Sequence, residues 1–166
     1  MSLMQITIYG NEVLRKKARF VKVFDKRLNK IIQDMLYTMY KFNGIGLAGP
    51  QVGLSRKIIV LDTQEKGEKF AMANPKIIWT SEEEDTMNEG CLSIPDVEGD
   101  VTRPESIRVR FNDPDNGEEK EMEASGLLAR VIQHETDHVN GIMFVDHLSE
   151  KDKRENARKL QELAVA

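Results

Sequence analysis

A chain of 166 residues is long enough for one domain with a substantial core and short for two. With 24 Lys and Arg against 28 Asp and Glu, the net charge of −4 lacks the basic footprint of sequence-independent nucleic-acid binding, so no specific DNA partner is expected. "MSLMQITIYG" lacks the basic start and long apolar run of a signal peptide, and nothing approaches the roughly 18 apolar residues of a membrane span. Cys91 is the single cysteine, which excludes an internal disulfide and makes the cytoplasm the expected compartment.

In chain order, "DKRLNKIIQDMLYTMYKFNG" predicts the first helix. Leu28, Ile31, Ile32, Met35, Leu36 and Met39 fall at helical spacing, with Asp25 as N-cap and Gly44 as stop. "GIGLAGPQVG" (44–53) joins that helix to a strand. It lacks the Lys-Ser/Thr ending of a phosphate-binding loop and the spacing of a dinucleotide fingerprint. "RKIIVLD" (56–62) reads as a buried strand. "EKFAMANP" and "KIIWTSEEE" read as two further strands broken at Asn74-Pro75. "NEGCLSIP" (88–95), pinned by Gly90 and Pro95, reads as a constrained loop. "SIRVRFND" (106–113) alternates as a half-buried strand does, "NDPDNG" turns the chain, and "EEKEMEA" returns as a hairpin partner. Ser125 caps a helix over 126–139 that Asn140-Gly141 ends, and "SEKDKRENARKLQELAVA" predicts a C-terminal helix of mixed charge. Helix, strands, helix, helix is the order of an α+β fold: small mixed or antiparallel sheets around a central helix, with a C-terminal helix, all in one domain spanning 1–166.

The chemistry concentrates in "QHETDH". On a helix of 100° per residue, His134 and His138 lie about 40° apart and can share a metal. Leu127, Val131, Leu128 and Ile132 fall at about 20°, 60°, 120° and 160° from His134, and Glu135 at about 100°. The carboxylate is thereby placed in the apolar arc, where an unpaired charge costs several kcal/mol unless it has a partner or a task. Two imidazoles leave a hydrolytic metal short of a third protein ligand. Downstream candidates are Asp146, His147 and Glu150, as in a zincin-type peptidase, with His147 read as a surface residue. Upstream, Cys91 would complete a Cys-His-His set suited to iron, zinc, cobalt or nickel.

Three segments in order, "GIGLAGPQ" (44–51), "EGCLS" (89–93) and "QHETDH" (133–138), resemble the peptide deformylase motifs G-x-G-L-A-A-x-Q, E-G-C-L-S and Q-H-E-x-D-H. The resemblance covers nearly the whole chain. It implies a metallohydrolase that removes the N-formyl group from the initiating methionine of nascent polypeptides and releases formate. It further implies metal ligation by Cys91, His134 and His138, with Fe(2+) expected and Zn(2+), Ni(2+) or Co(2+) as substitutes. Glu135 would do acid–base work, and the side-chain amide of Gln51 and the backbone N–H of Leu92 would donate to the oxyanion. Gly46, lacking a side chain, would let its backbone approach the peptide, while Ile45, Leu127 and Val131 would line a methionine pocket. Glu89, Arg103 and Asp137 would orient the ligands.

The chain departs from the family pattern at Gly49, where alanine is usual and a looser loop under Gln51 is expected. It departs again at the acidic stretch around Glu98, where some members carry a basic residue that contacts the peptide. The partners expected are formylated nascent peptides, and no membrane is expected; Lys151, Lys153, Arg154, Arg158 and Lys159 could give the C-terminal helix a basic face for the ribosome near its exit tunnel, but the interspersed Glu150, Asp152 and Glu155 favour a plain solvated helix. The rival readings are the zincin-type peptidase and a non-enzymatic peptide-binding module on the same fold.

Overall fold

The computed structural model describes residues 1–166. Asp25 caps the first helix, α1 (Lys26–Lys41), its carboxylate accepting the backbone N–H of Leu28 at 3.1 Å. The helix stops before Gly44, because Asn43 takes the left-handed turn conformation (φ 57°) and releases the chain first. The segment read as a linker holds an edge strand, β1 (Gly46–Ala48), and a 3-10 turn over Gly49–Val52. It leads into β2 (Ile58–Asp62).

The two strands predicted around Asn74-Pro75 are one, β3 (Lys69–Thr80), with a shift of register between Ala73 and Lys76. Asn74 adopts φ 54°, and its side chain pairs with both backbone groups of Val21 and with the Asn112 amide. A bulge thus absorbs the proline that lacks an N–H, and pairing resumes beyond it.

A second correction concerns "NEGCLSIP", which is a hairpin rather than a loop: β4 (Glu84–Cys91) pairs with β5 (Ile94–Pro104) as a separate two-stranded sheet. Its apolar signal is confined to one face of β5, where Val97 is buried between exposed Asp96 and Glu98, and Val101 between exposed Asp100 and Thr102. Then come β6 (Ser106–Asn112), β7 (Glu119–Ser125), α2 (Gly126–Val139) and α3 (Glu150–Val165). The larger sheet has the order β1-β2-β3-β6-β7, and every strand pair in both sheets is antiparallel.

The core explains this arrangement. Along β2, Ile59 and Leu61 pack with Val131 and Ile132 of α2, while Ile58 and Val60 pack with Leu28, Ile32 and Met35 of α1. A strand covered on both faces needs apolar residues at every position, which "IIVL" supplies. A third cluster, with Val97, Val101, Phe144 and Leu148, lies under the hairpin and is bordered by Leu160 and Leu163 of α3. The first cluster seats α2 on the large sheet, and polar contacts from Arg130, His134 and Asp137 to Glu89 and Arg103 join the helix to the hairpin.

The expected loosening at Gly49 is not found. A Cβ there would lie 2.6 Å from the carbonyl oxygen of Arg56 and 2.9 Å from that of Leu54, both backbone atoms that cannot swing away. Gly49 lets the 3-10 turn close on the 54–56 segment, and so holds Gln51 down. Restoring the family's alanine by Gly49→Ala is therefore expected to destabilise the fold by about 1–3 kcal/mol through overpacking. In a thermal melt that is a fall of roughly 3–9 °C; an unchanged or higher midpoint would contradict the packing argument.

Candidate metal centre

His134 and His138 stand one turn apart on α2, both buried, with ring centroids 5.1 Å apart. Cys91 ends β4, and its Sγ lies 3.3 Å from Nε2 of His138. One donor atom from each of Cys91, His134 and His138 falls within 4.8 Å of the others. Nδ1 of His134 is taken by Glu89 Oε1 at 2.8 Å, which leaves Nε2 for the cluster. A thiolate and two imidazoles are a donor set for a transition metal with an open position, so the residues present fit one.

Electrostatics agree. Burial disfavours a positive charge on His134, but Cys91, Glu135 and Glu89 outweigh it and push its pKa well above the usual value. Those same groups attract a cation. His138 moves the other way, driven down by burial and by the charge on His134.

Glu89 anchors the arrangement. Besides His134 it holds Arg103, through Nε at 2.7 Å and a terminal nitrogen at 3.0 Å, and Arg130 at 2.6 Å. Burial alone would raise its pKa, yet the hydrogen bonds from His134 and Arg103 hold it well below the carboxylate range. Arg103 reaches on to Asp137 at 2.9 Å, and Asp137 pairs with His147 at the same distance. Glu89, Arg103 and Asp137 thus form one connected hydrogen-bond network that reaches His134.

Sequence reasoning missed Arg130, which sits one turn before His134 and also donates to the carbonyls of Val101 and Asp85. The available signal was a cation on the buried spine of α2 that needed a partner. Ser93, whose hydroxyl lies 3.3 Å from the Gln51 amide nitrogen, was missed as well. Of the downstream candidates, Asp146 is held by Arg15 and His147 by Asp137, and neither joins the donor cluster.

The remaining predicted residues converge on one cleft, which Ile45, Gly46, Gln51, Leu92, Leu127, Val131 and Glu135 all line. Gln51 is buried; its Oε1 accepts the Ala48 N–H at 2.9 Å, which aims Nε2 at Cys91 Sγ, 3.2 Å away. Leu92 sits in the turn between β4 and β5, and its N–H donates to no other backbone group. Glu135 is 4% exposed, as the helical geometry predicts, and its Oε1 has no hydrogen-bond partner. Burial pushes its carboxyl up to about 7, with Glu89 adding to the rise and His134 opposing it. Val131 is buried, while Leu127 is open at the cleft wall.

A polypeptide deformylase family model matches residues 3–154. The chain belongs to the polypeptide deformylase family. It is 42% identical to a peptide deformylase of Methylocella silvestris over 99% of this chain and 86% of that one. It is 45% identical to peptide deformylase 1 of Clostridium acetobutylicum, over 92% and 99% respectively. Among solved structures, the Thermus thermophilus peptide deformylase superposes with a TM-score of 0.91 at 36% identity, covering 99% of both chains. The Legionella pneumophila enzyme gives 0.89 at 40% identity, covering 97% of this chain and 95% of that one. The activity is hydrolytic removal of the N-formyl group from the formylmethionine of nascent polypeptides, with a divalent metal as cofactor. No helix is long and apolar enough to cross a membrane.

Because Glu89 is the one carboxylate bonded to buried Arg130 and also pairs with buried Arg103, Glu89→Gln is expected to cost about 3–5 kcal/mol of stability. Glu123→Gln, which breaks the exposed and solvent-screened pair with Arg108, should cost far less. Urea unfolding of the two variants side by side tests the difference, and similar losses would remove Glu89 from its anchoring role.

Proposed function

We propose that Cys91, His134 and His138 hold Fe(2+), and that Glu135, Gln51 and Leu92 carry out deformylation in a single catalytic domain spanning 1–166. The observation that carries this reading is a buried carboxylate with an unpaired oxygen, Glu135, beside a Cys-His-His donor cluster. When bound, the metal acts as a Lewis acid, polarising a carbonyl and making water more acidic.

The protein's own groups supply the rest. Water attacks the formyl carbon; Glu135 takes the proton that water loses and returns it to the amine as the C–N bond breaks, leaving formate and a free N-terminus. A carboxyl balanced at about 7 suits both halves of that transfer. As the formyl oxygen gains charge, the Gln51 amide and the Leu92 N–H donate to it. Gln51 is ready for this because its Oε1 is already fixed on Ala48.

β1 is an edge strand, so the peptide can add alongside Gly46 as a further strand while the methionine side chain sits among Ile45, Leu127 and Val131. Gly46 has a second duty: a Cβ there would come within 2.6 Å of Glu135 Oε2 and 2.9 Å of Val131. We place the activity in the cytoplasm, where a translation-linked reaction meets its substrate. For α3 we favour a solvated helix over a ribosome-docking one. Lys151, Lys153 and Arg158 each lie within 4.0 Å of an acid on the same helix, and Lys159 is turned to the Asp96 carbonyl.

Formate release from formyl-Met-Ala by anaerobically purified, iron-loaded protein tests the reading, and no release would overturn it. Glu135→Gln should keep its metal and lose roughly 10²–10⁴ in kcat. Cys91→Ser should lose the metal itself, whereas a zincin-type site would retain it. Gly46→Ala should fold and bind metal yet lose at least about tenfold in kcat, because the methyl displaces the Glu135 carboxylate; wild-type kcat would show that Gly46 serves only the peptide backbone.

A further inference from the structure

The net charge of −4 conceals an uneven distribution. Residues 15–30 hold eight of the chain's 24 Lys and Arg and only one acid, Asp25. Between the 3-10 turn at Glu12–Arg15 and α1 the chain crosses the surface as an extended strip. Partners from three directions pin its backbone. The Ala18 N–H donates to the Val139 carbonyl at 2.9 Å, at the end of α2. Arg19 donates to the Ser55 carbonyl at 3.0 Å and accepts the Lys57 N–H at 2.8 Å, and Val21 pairs with the Asn74 side chain in the β3 bulge. Ala18 and Val21 are buried, so Lys17, Arg19, Phe20, Lys22 and Val23 stand outward. None of these residues lines the metal cleft.

The cations on this face are not neutralised. The acids that reach it are each held by one partner: Asp146 by Arg15, Asp34 by Lys30, and Asp25 by the Leu28 N–H. Lys16, Lys17, Arg19 and Lys22, with Arg56 beside them, are exposed and form no ion pair. Lys26 and Arg27 carry the charge into the first turn of α1, which contains no acid. Cations there oppose the helix dipole, so helix stability does not account for them. Lys57 feels the same field: burial, with the Lys17 charge adding, pulls its ammonium below its usual pKa.

Among these charges Phe20 is 63% exposed. It is held all the same. The Lys57 ammonium lies 4.5 Å from the centre of its ring and is fixed in turn by Asn140 Oδ1 at 3.2 Å. Free cations along a pinned, extended backbone, with an aromatic ring between them, match a single-stranded nucleic acid: the cations track phosphates and the ring takes a base. A lipid surface fits less well. An interfacial anchor needs a helix with a broad apolar face, whereas this strip is extended and shows only Phe20 and Val23.

We propose that the strip 16–23, with Arg56 and the first turn of α1, is a binding surface for single-stranded RNA, separate from the metal cleft and from the outer end of α3. A reaction on nascent polypeptides takes place beside RNA, so such a surface keeps the protein near its substrate. It goes beyond the deformylase reading and stands or falls apart from it.

The test is fluorescence anisotropy of a labelled single-stranded RNA of about 20 nucleotides, titrated with the full chain from about 50 to 200 mM salt. Wild-type protein should bind with a micromolar dissociation constant at low salt. The slope of log K against log salt should be roughly −3, as for about four or five phosphates. Lys17→Glu/Lys22→Glu should weaken binding about tenfold or more and flatten the slope by about one unit or more. Phe20→Ala should weaken it about fivefold or more and leave the slope alone, because stacking releases no counterions. Lys151→Glu/Lys153→Glu, the same charge change on α3, should alter binding little. Each variant should keep the wild-type thermal midpoint and formate release from formyl-Met-Ala, which separates loss of binding from loss of fold. No binding by wild-type protein at low salt, an equal loss in the α3 variant, or tighter binding to phosphatidylcholine vesicles containing about one-quarter phosphatidylserine than to RNA would overturn the proposal.

Discussion

Glu89 is the group on which the centre depends. A lone carboxylate at its depth would be driven toward the neutral form, and two guanidinium groups beside it would repel one another. Together with Asp137 the three make a closed set in which each charge is answered, and His134 joins it through Glu89. The set also joins three elements: Glu89 stands on β4, Arg103 on β5, and Arg130 and His134 on α2. Removing one member leaves another buried and unmatched, which is why such clusters tolerate substitution poorly even when they add little net stability. Here the cluster fixes the distance between the hairpin that brings Cys91 and the helix that brings both histidines.

That division of labour accounts for the local sequence. The large sheet and α1 form a conventional apolar support, with β2 covered on both faces. The hairpin is polar apart from one buried row, because its other face borders an open cleft. Glycine appears where backbone must approach backbone or a catalytic side chain: Gly49 against the 54–56 carbonyls, and Gly46 against Glu135. Neither position needs an unusual dihedral angle. Each needs the absence of a methyl group.

Much of this was legible in the sequence because its signals are local. Asp25, the spacing of Leu28 to Met39, and the turn "NDPDNG" specify their elements without reference to the rest of the chain. The helical geometry of 127–138 put Glu135 inside the apolar arc, and it is buried there. The misses share a cause in tertiary pairing. Nothing local distinguishes the bulge at Asn74 from a break, because what rescues the strand is an amide reaching Val21 from 53 residues away. The β4–β5 hairpin hid behind Gly90, Pro95 and a run of acids, since its stability comes from Phe144 and Leu148 below it. Arg130 was visible as a letter, but its partners lie on two other strands.

The inner and outer parts of the cleft answer to different constraints. Around Cys91 the polar groups are buried and held by partners on several elements, so substitution there disturbs several contacts at once. Asp96, Glu98 and Glu155 are exposed, and no buried contact depends on their charge. Such positions can change sign without cost to the fold. In this chain the register shift after Gly90 leaves Asp96 and Glu98 lining the cleft a few residues from Cys91.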